Sequence, residues 1–162
     1  MKKKPPDPLE LQALPGHYIR RLQQIAVAVF LQQTEAHGLT PVQYAALNQA
    51  ERTPGVDQRT LARLIGQDTS TTAGVIDRLE TRGLMRRQPS PDDRRVRLVE
   101  LTEEGSALLA AAAPDILNAQ ERMLHPLTPA ERAEFMRMLR AIVAANKDLS
   151  RVPGDSLPSH LA

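Results

Sequence analysis

Helix-starting and helix-ending residues crowd the stretch from Thr40 to Gly105, so no element inside it can be long. Thr40-Pro41 is an N-cap followed by proline at the first helical position, where the ring's fixed φ suits the turn and its missing N–H is not needed. The helix it opens holds Val42, Tyr44, Ala45, Leu47 and Asn48 and stops near Thr53-Pro54-Gly55. Asp57 is a second good cap, ahead of a short helix with Leu61, Ala62, Leu64 and Ile65. Gly66-Gln67-Asp68 makes a tight turn. A third helix follows from Thr69 to about Arg82, with Ala73, Val75, Ile76 and Leu79 as its buried side and Gly83 just past its end. Two short helices joined by a glycine-containing turn form a helix-turn-helix pattern. Leu84–Gln88 and Val96–Leu101 then alternate in character around a polar turn, Pro89 to Arg95, which predicts a β-hairpin with proline and aspartate at its tip.

The flanks are helical. From about Pro15 to His37, Tyr18, Leu22, Ile25 and Val29 recur at three- and four-residue steps, with Ile19, Ala26 and Phe30 as an adjacent row. A helix apolar over more than half its girth needs two packing partners. Gly38 ends it. Thr102 caps a later alanine-rich helix whose first turn holds Glu103 and Glu104, where the dipole favours acids. Pro114 inside it predicts a kink. Thr128-Pro129 opens a last helix with Phe135, Met138, Leu139, Ile142 and Val143 on one stripe. Residues 1–14, with Pro5, Pro6 and Pro8, read as a flexible N-terminal arm, and 150–162 as a flexible C-terminal tail. The fold class is thus mainly α: a winged helix-turn-helix of three helices plus a hairpin, set between terminal helices.

Composition removes several functions. The 162 residues include no cysteine, which excludes disulfides, a thiol nucleophile and thiolate metal sites. Tyr18, Phe30, Tyr44 and Phe135 are the only aromatic residues, too few for stacking on single-stranded bases. No apolar run approaches the roughly 18 residues of a membrane span, and nothing apolar follows Lys2, Lys3 and Lys4 to make a signal peptide, so a cytoplasmic location is expected. His17, His37, His125 and His160 lack metal-ligand spacing, and no nucleophile elbow or phosphate-binding glycine loop occurs, so the reading is not an enzyme and not a metal protein. The net charge of +2 hides an uneven distribution. Nine arginines face five acids between Arg59 and Arg97, whereas seven acids face two arginines between Leu98 and Phe135. Such blocks suit a polyanion on one face and a different contact on the other.

A helix after a glycine turn fits the DNA major groove, and a hairpin tip reaches the neighbouring minor groove or backbone. Thr69, Ser70, Thr71 and Thr72 open the third helix with four small hydroxyl side chains, suited to phosphates and base edges. The plainer reading is an N-cap with spare polar residues. Arg59 and Arg78 add positive charge to the same two helices, and Arg94 and Arg95 to the hairpin tip.

From about His17 to Ala144 the chain resembles the MarR family of bacterial transcription regulators. The resemblance is carried by Val75-Ile76-Asp77-Arg78-Leu79-Glu80-Thr81-Arg82-Gly83-Leu84 and by the wing pattern matched at Asp93, Arg94, Arg95, Leu101, Thr102 and Gly105. It implies a homodimer built from helices in 15–37 and 103–149, with a winged helix-turn-helix DNA-binding domain over 38–102. It also implies that Arg95 enters the minor groove while Asp93 braces the wing; an arginine at such a tip suits a narrow, electronegative groove. A surface Asp–Arg ion pair is the plainer account. Two departures stand out. Ser90 occupies a position where the wing usually opens with Asp, and Gly74 one where many members carry a base-reading Arg.

Members of this family often release DNA on binding small aromatic acids. At the start of the first helix, His17-Tyr18-Ile19-Arg20-Arg21 offers an arginine fork beside an apolar crevice, the requirement for holding a carboxylate in two-point fashion. Arg20, with His17 helping, is the expected anchor. Arg21 points about 100° away, so one of the two faces the pocket. Inter-subunit or surface ion pairs are the competing role for both. The expected function is a sequence-specific regulator of double-stranded DNA, a repressor of a pseudo-palindromic operator that an aromatic carboxylate releases, with no other cofactor. The alternative is a winged-helix module that binds protein through the acidic 98–135 block.

Overall fold

The computed structural model describes residues 10–146. The expected tail at 150–162 and most of the expected arm at 1–14 therefore lie outside the described residues; of the arm, Leu11–Ala13 forms one 3-10 turn. Helix α1 (Pro15–Gln33) is shorter than its apolar pattern predicts, because Glu35–His37 tighten into a 3-10 turn before Gly38 turns left-handed at φ 59°. Next come α2 (Pro41–Arg52), β1 (Val56–Asp57), α3 (Gln58–Leu64) and α4 (Thr69–Thr81). The wing is β2 (Met85–Pro89) and β3 (Arg97–Leu101), and α5 (Glu103–Leu124) and α6 (Pro129–Ala145) complete the order. Helix α5 runs on through Pro114.

The caps form as the sequence implies, and two go further. Thr40 and Gln43 exchange side-chain and backbone bonds at the start of α2, and Thr128 and Glu131 do the same at α6. The hairpin is one strand richer than its pattern showed. The short β1 pairs antiparallel with β3, Val56 opposite Val99, giving the order β1-β3-β2. Two residues are too few to display a period.

The core lies where α2, α3 and α4 meet the sheet. Leu47, Leu61, Val75, Ile76, Leu79 and Val99 are fully enclosed there, and each such side chain contributes roughly 1.5–3 kcal/mol. On α4 the enclosed row is Thr72, Val75, Ile76 and Leu79, with Ala73 only half-buried. Thr72 takes the inward place because its hydroxyl donates to the Asp68 carbonyl at 2.8 Å and so buries no free polar group.

Two joints tie this lobe to the helices around it. At Gly105 a side chain is impossible, since a Cβ there would lie 2.1 Å from the Leu84 carbonyl oxygen. The start of α5 thus sits directly on the turn after α4, where the Thr102 hydroxyl also donates to the Gly83 carbonyl at 2.7 Å. Just before that turn, the Arg82 guanidinium donates to the carbonyls of Gly38 at 2.7 Å and His37 at 3.1 Å. His37 Nε2 lies 2.8 Å from Asp115 Oδ2 on α5. In a single chain much apolar surface stays open: Tyr18, Ile19 and Ile25 on α1, Leu117 on α5, and Met138, Ile142 and Val143 on α6 are exposed. No residue of α6 is buried.

Candidate nucleic-acid interface

The start of α4 is organised by Asp68, the last residue of the Gly66-Gln67-Asp68 turn. Its carboxylate accepts from the Thr71 backbone N–H at 2.7 Å, the Ser70 hydroxyl at 2.6 Å and the Thr71 hydroxyl at 2.5 Å. The Ser70 hydroxyl, then that of Thr71, holds Asp68 well below the usual carboxylate range. Ser70 and Thr71 are exposed, as is Thr69, whose hydroxyl makes no bond among the described residues. Thr72 is a correction to the expected contact set: enclosed by the core, it reaches no ligand on the outer face. The cap could have been read from the same signal as Asp57, a carboxylate three residues before a helical N–H.

The arginine block divides into cations already used and cations left over. Arg87 donates to Asp77 at 2.5 Å, to Glu80 at 2.6 Å and to the Ala73 carbonyl at 3.0 Å, clamping β2 against α4. Its Nε is buried without a partner. Arg86 pairs with Glu100 across the hairpin at 2.9 Å, and Arg82 holds the Gly38 turn. Arg59, Arg63, Arg78, Arg94, Arg95 and Arg97 are exposed and make no side-chain hydrogen bond or ion pair among the described residues. They lie on α3, on α4 and around the wing tip. A sequence reading sees nine like charges; the spacing that separates Arg87 from Asp77 and Glu80 becomes a contact only when the hairpin folds back.

The wing turn is held by short polar contacts. Asp93 Oδ1 accepts from the Arg95 N–H at 2.9 Å, and the Asp93 carbonyl accepts from the Val96 N–H at 2.9 Å. No ion pair joins Asp92 or Asp93 to Arg94 or Arg95 among the described residues, so both guanidinium groups stay available. Ser90 supplies a turn bond of its own, its hydroxyl oxygen accepting from the Asp92 N–H at 3.3 Å. At Gly74 a Cβ would meet only Arg78 Nη1, at 3.9 Å, so packing does not require glycine there.

His17, Arg20 and Arg21 stand together on the first turns of α1 without forming an enclosed site. The His17 ring meets Tyr18 edge-on at 5.5 Å, Arg20 Nη1 lies 3.4 Å from Gln24 Oε1, and both arginines are exposed. Two open clefts, one between Gln33 and His125 and one between Thr40 and Arg82, are lined by other residues. Among the described residues no cluster of His, Asp and Glu is placed to hold a metal ion, and no helix is long and apolar enough to cross a membrane.

Comparison with known proteins gives this geometry its relatives. Residues 39–96 match the model of the MarR family. The chain is 31% identical over 141 residues to the HTH-type transcriptional repressor NicR of Pseudomonas putida, covering 87% of this chain and 89% of that protein. Its fold superposes on BpsR of Bordetella bronchiseptica, whose DNA binding is regulated by 6-hydroxynicotinic acid, with TM-score 0.80, 31% identity and coverage of 84% and 97%. It also superposes on a transcriptional repressor, CouR, bound to a 23-mer DNA duplex, with TM-score 0.79, 30% identity and coverage of 86% and 99%. On sequence and fold together, the chain belongs to the MarR family of transcription regulators.

Proposed function

We propose that this protein is a homodimeric, cytoplasmic repressor that binds a pseudo-palindromic operator in double-stranded DNA and releases it on binding a small aromatic carboxylate. The observation that carries the DNA reading is the sorting of the arginines: those at α3, α4 and the wing tip remain unpaired, while the rest of the block is consumed internally. Unpaired guanidinium groups on a helix and a hairpin tip supply what phosphates and a narrow minor groove attract. In this reading Arg59 and Arg78 flank the groove entered by Thr69, Ser70 and Thr71, and Arg94 and Arg95 reach the adjacent minor groove from a turn braced by Asp93. Dimerisation through the exposed apolar faces of α1, α5 and α6 would set two such units about one DNA turn apart.

The ligand reading rests on Arg20 and His17 beside exposed Tyr18 and Ile19 at the edge of that apolar face, where a second subunit would close the crevice. The relative BpsR supports it, since 6-hydroxynicotinic acid, which regulates that protein's DNA binding, is itself an aromatic carboxylate. Release needs the ligand to favour a dimer state that binds DNA poorly; a hundredfold loss corresponds to about 2.7 kcal/mol of coupling. Fluorescence anisotropy tests both parts, using the DNA flanking the protein's own gene, random duplex as control, and a panel of benzoate-, nicotinate- and cinnamate-like acids. The expected result is selective binding reversed by one acid, with the reversal lost in Arg20→Ala and DNA affinity retained. Selective binding that no acid reverses removes the ligand half. Binding no tighter than to random duplex removes autoregulation, and failure of an unbiased selection of sites then removes both halves.

A further inference from the structure

Hydroxyl groups on a recognition helix are usually credited with both donating and accepting, but here their protons are committed. Asp68 is an ionised carboxylate and has no proton to give. The Ser70 Oγ and Thr71 Oγ1 contacts to it, at 2.6 and 2.5 Å, therefore require each hydroxyl to be the donor. What remains facing outward on Ser70 and Thr71 is lone pairs, and Asp68, only half-buried, adds one free lone pair on Oδ2, its Oδ1 already accepting from the Ser70 hydroxyl and the Thr71 N–H. A phosphate is anionic and accepts hydrogen bonds, so this corner offers it nothing and repels it.

We propose that Asp68, Ser70 and Thr71 form an acceptor-only patch that reads amino groups on base edges, adenine N6 or cytosine N4, where α4 enters the major groove. The inference rests on the DNA-binding reading above and adds which bases its helix start selects. Guanine O6 and N7 and thymine O4 are acceptors and are rejected by the same patch. Donation to those atoms falls to Thr69, whose hydroxyl is uncommitted, and to Arg78 farther along the exposed side of α4. Gly74, between them, leaves room for base edges to approach the helix closely.

The test uses the full-length protein and a half-site obtained by selection from random duplexes. Each adenine in turn is replaced by nebularine, which lacks the 6-amino group, and each cytosine by 2-pyrimidinone, which lacks the 4-amino group. Affinity is measured by anisotropy at one fixed salt concentration. At one or two positions per half-site the wild type is expected to lose about tenfold in affinity. In Ser70→Ala or Thr71→Val the same replacements should cost little further, whereas any loss caused by weaker base pairing would persist. Both variants keep the Asp68 cap on the Thr71 N–H, and circular dichroism and thermal unfolding confirm that the helix is intact. Asp68→Asn, which can also donate, should tolerate an acceptor at those positions.

Selective binding with no amino-group dependence overturns the inference and leaves the function reading standing. So does a dependence of Ser70 or Thr71 on guanine N7, seen with 7-deazaguanine. Failure to select any duplex overturns the function reading and this one with it.

Discussion

Arg87 shows how one side chain can look like a ligand contact in the sequence and be a structural clamp in the fold. Its guanidinium lies among Asp77, Glu80 and the Ala73 carbonyl, and its backbone N–H donates to Glu80 at 2.7 Å. The side chain is four-fifths covered, so removing it leaves Glu80 partly desolvated and unpaired. Arg87→Met is expected to destabilise the protein by about 1–3 kcal/mol, read as a lower urea midpoint, because a partly buried acid has lost its partner. Its effect on operator affinity should be greater than its effect on salt dependence, since the wing moves but no phosphate contact is deleted. Arg94→Ala and Arg95→Ala would do the reverse, leaving the midpoint unchanged and flattening the salt slope. Asp68 was hidden by a comparable ambiguity. In sequence it ends a glycine turn, and only the geometry shows it collecting two hydroxyl protons and an N–H.

The helices and their ends were largely legible in the chain. Thr40, Asp57, Thr102 and Thr128 all cap, because a capping side chain needs only its own next turn and that is local information. What was not legible is non-local. Strand β1 exists only because Val56 and Asp57 meet β3, and α1 ends early because the Gly38 turn must place His37 against Asp115 and Arg82. Within the candidate site, the wing arginines and the Ser/Thr row were visible as residue types. Which hydroxyls point outward was decided by packing, and Thr72 lost that position to the core. The capping boxes allow a direct comparison of two elements. Thr40→Ala and Thr128→Ala should each cost about 1 kcal/mol of local helix stability. In dilute monomer only Thr40→Ala should shift the global unfolding midpoint, since α2 is in the core and no residue of α6 is buried within one chain. Hydrogen exchange at the α6 amides would report the loss that the midpoint misses.

Taken as a single chain, the structure leaves apolar side chains of α1, α5 and α6 in water, which the proposed dimer would cover. Ile142→Asp and Val143→Asp put a charge where that interface would desolvate it. Sedimentation should then show monomer at concentrations where the wild type is dimeric. Operator affinity should fall with the dimer while the thermal unfolding of the winged lobe is nearly unchanged. A wild type that sediments as monomer would overturn the assembly. The contact at Gly105 has a mechanical meaning for such an assembly. With the backbone of α5 resting on the Leu84 carbonyl there is no side-chain cushion between them, so the long helix and the wing behave as one stiff arm. Helix α5 has 22 residues, about 33 Å at 1.5 Å per residue. A tilt of about 5° at its far end therefore swings the near end by about 3 Å, the length of one hydrogen bond. A small wedge at the subunit seam would suffice to pull the arm out of register with the groove.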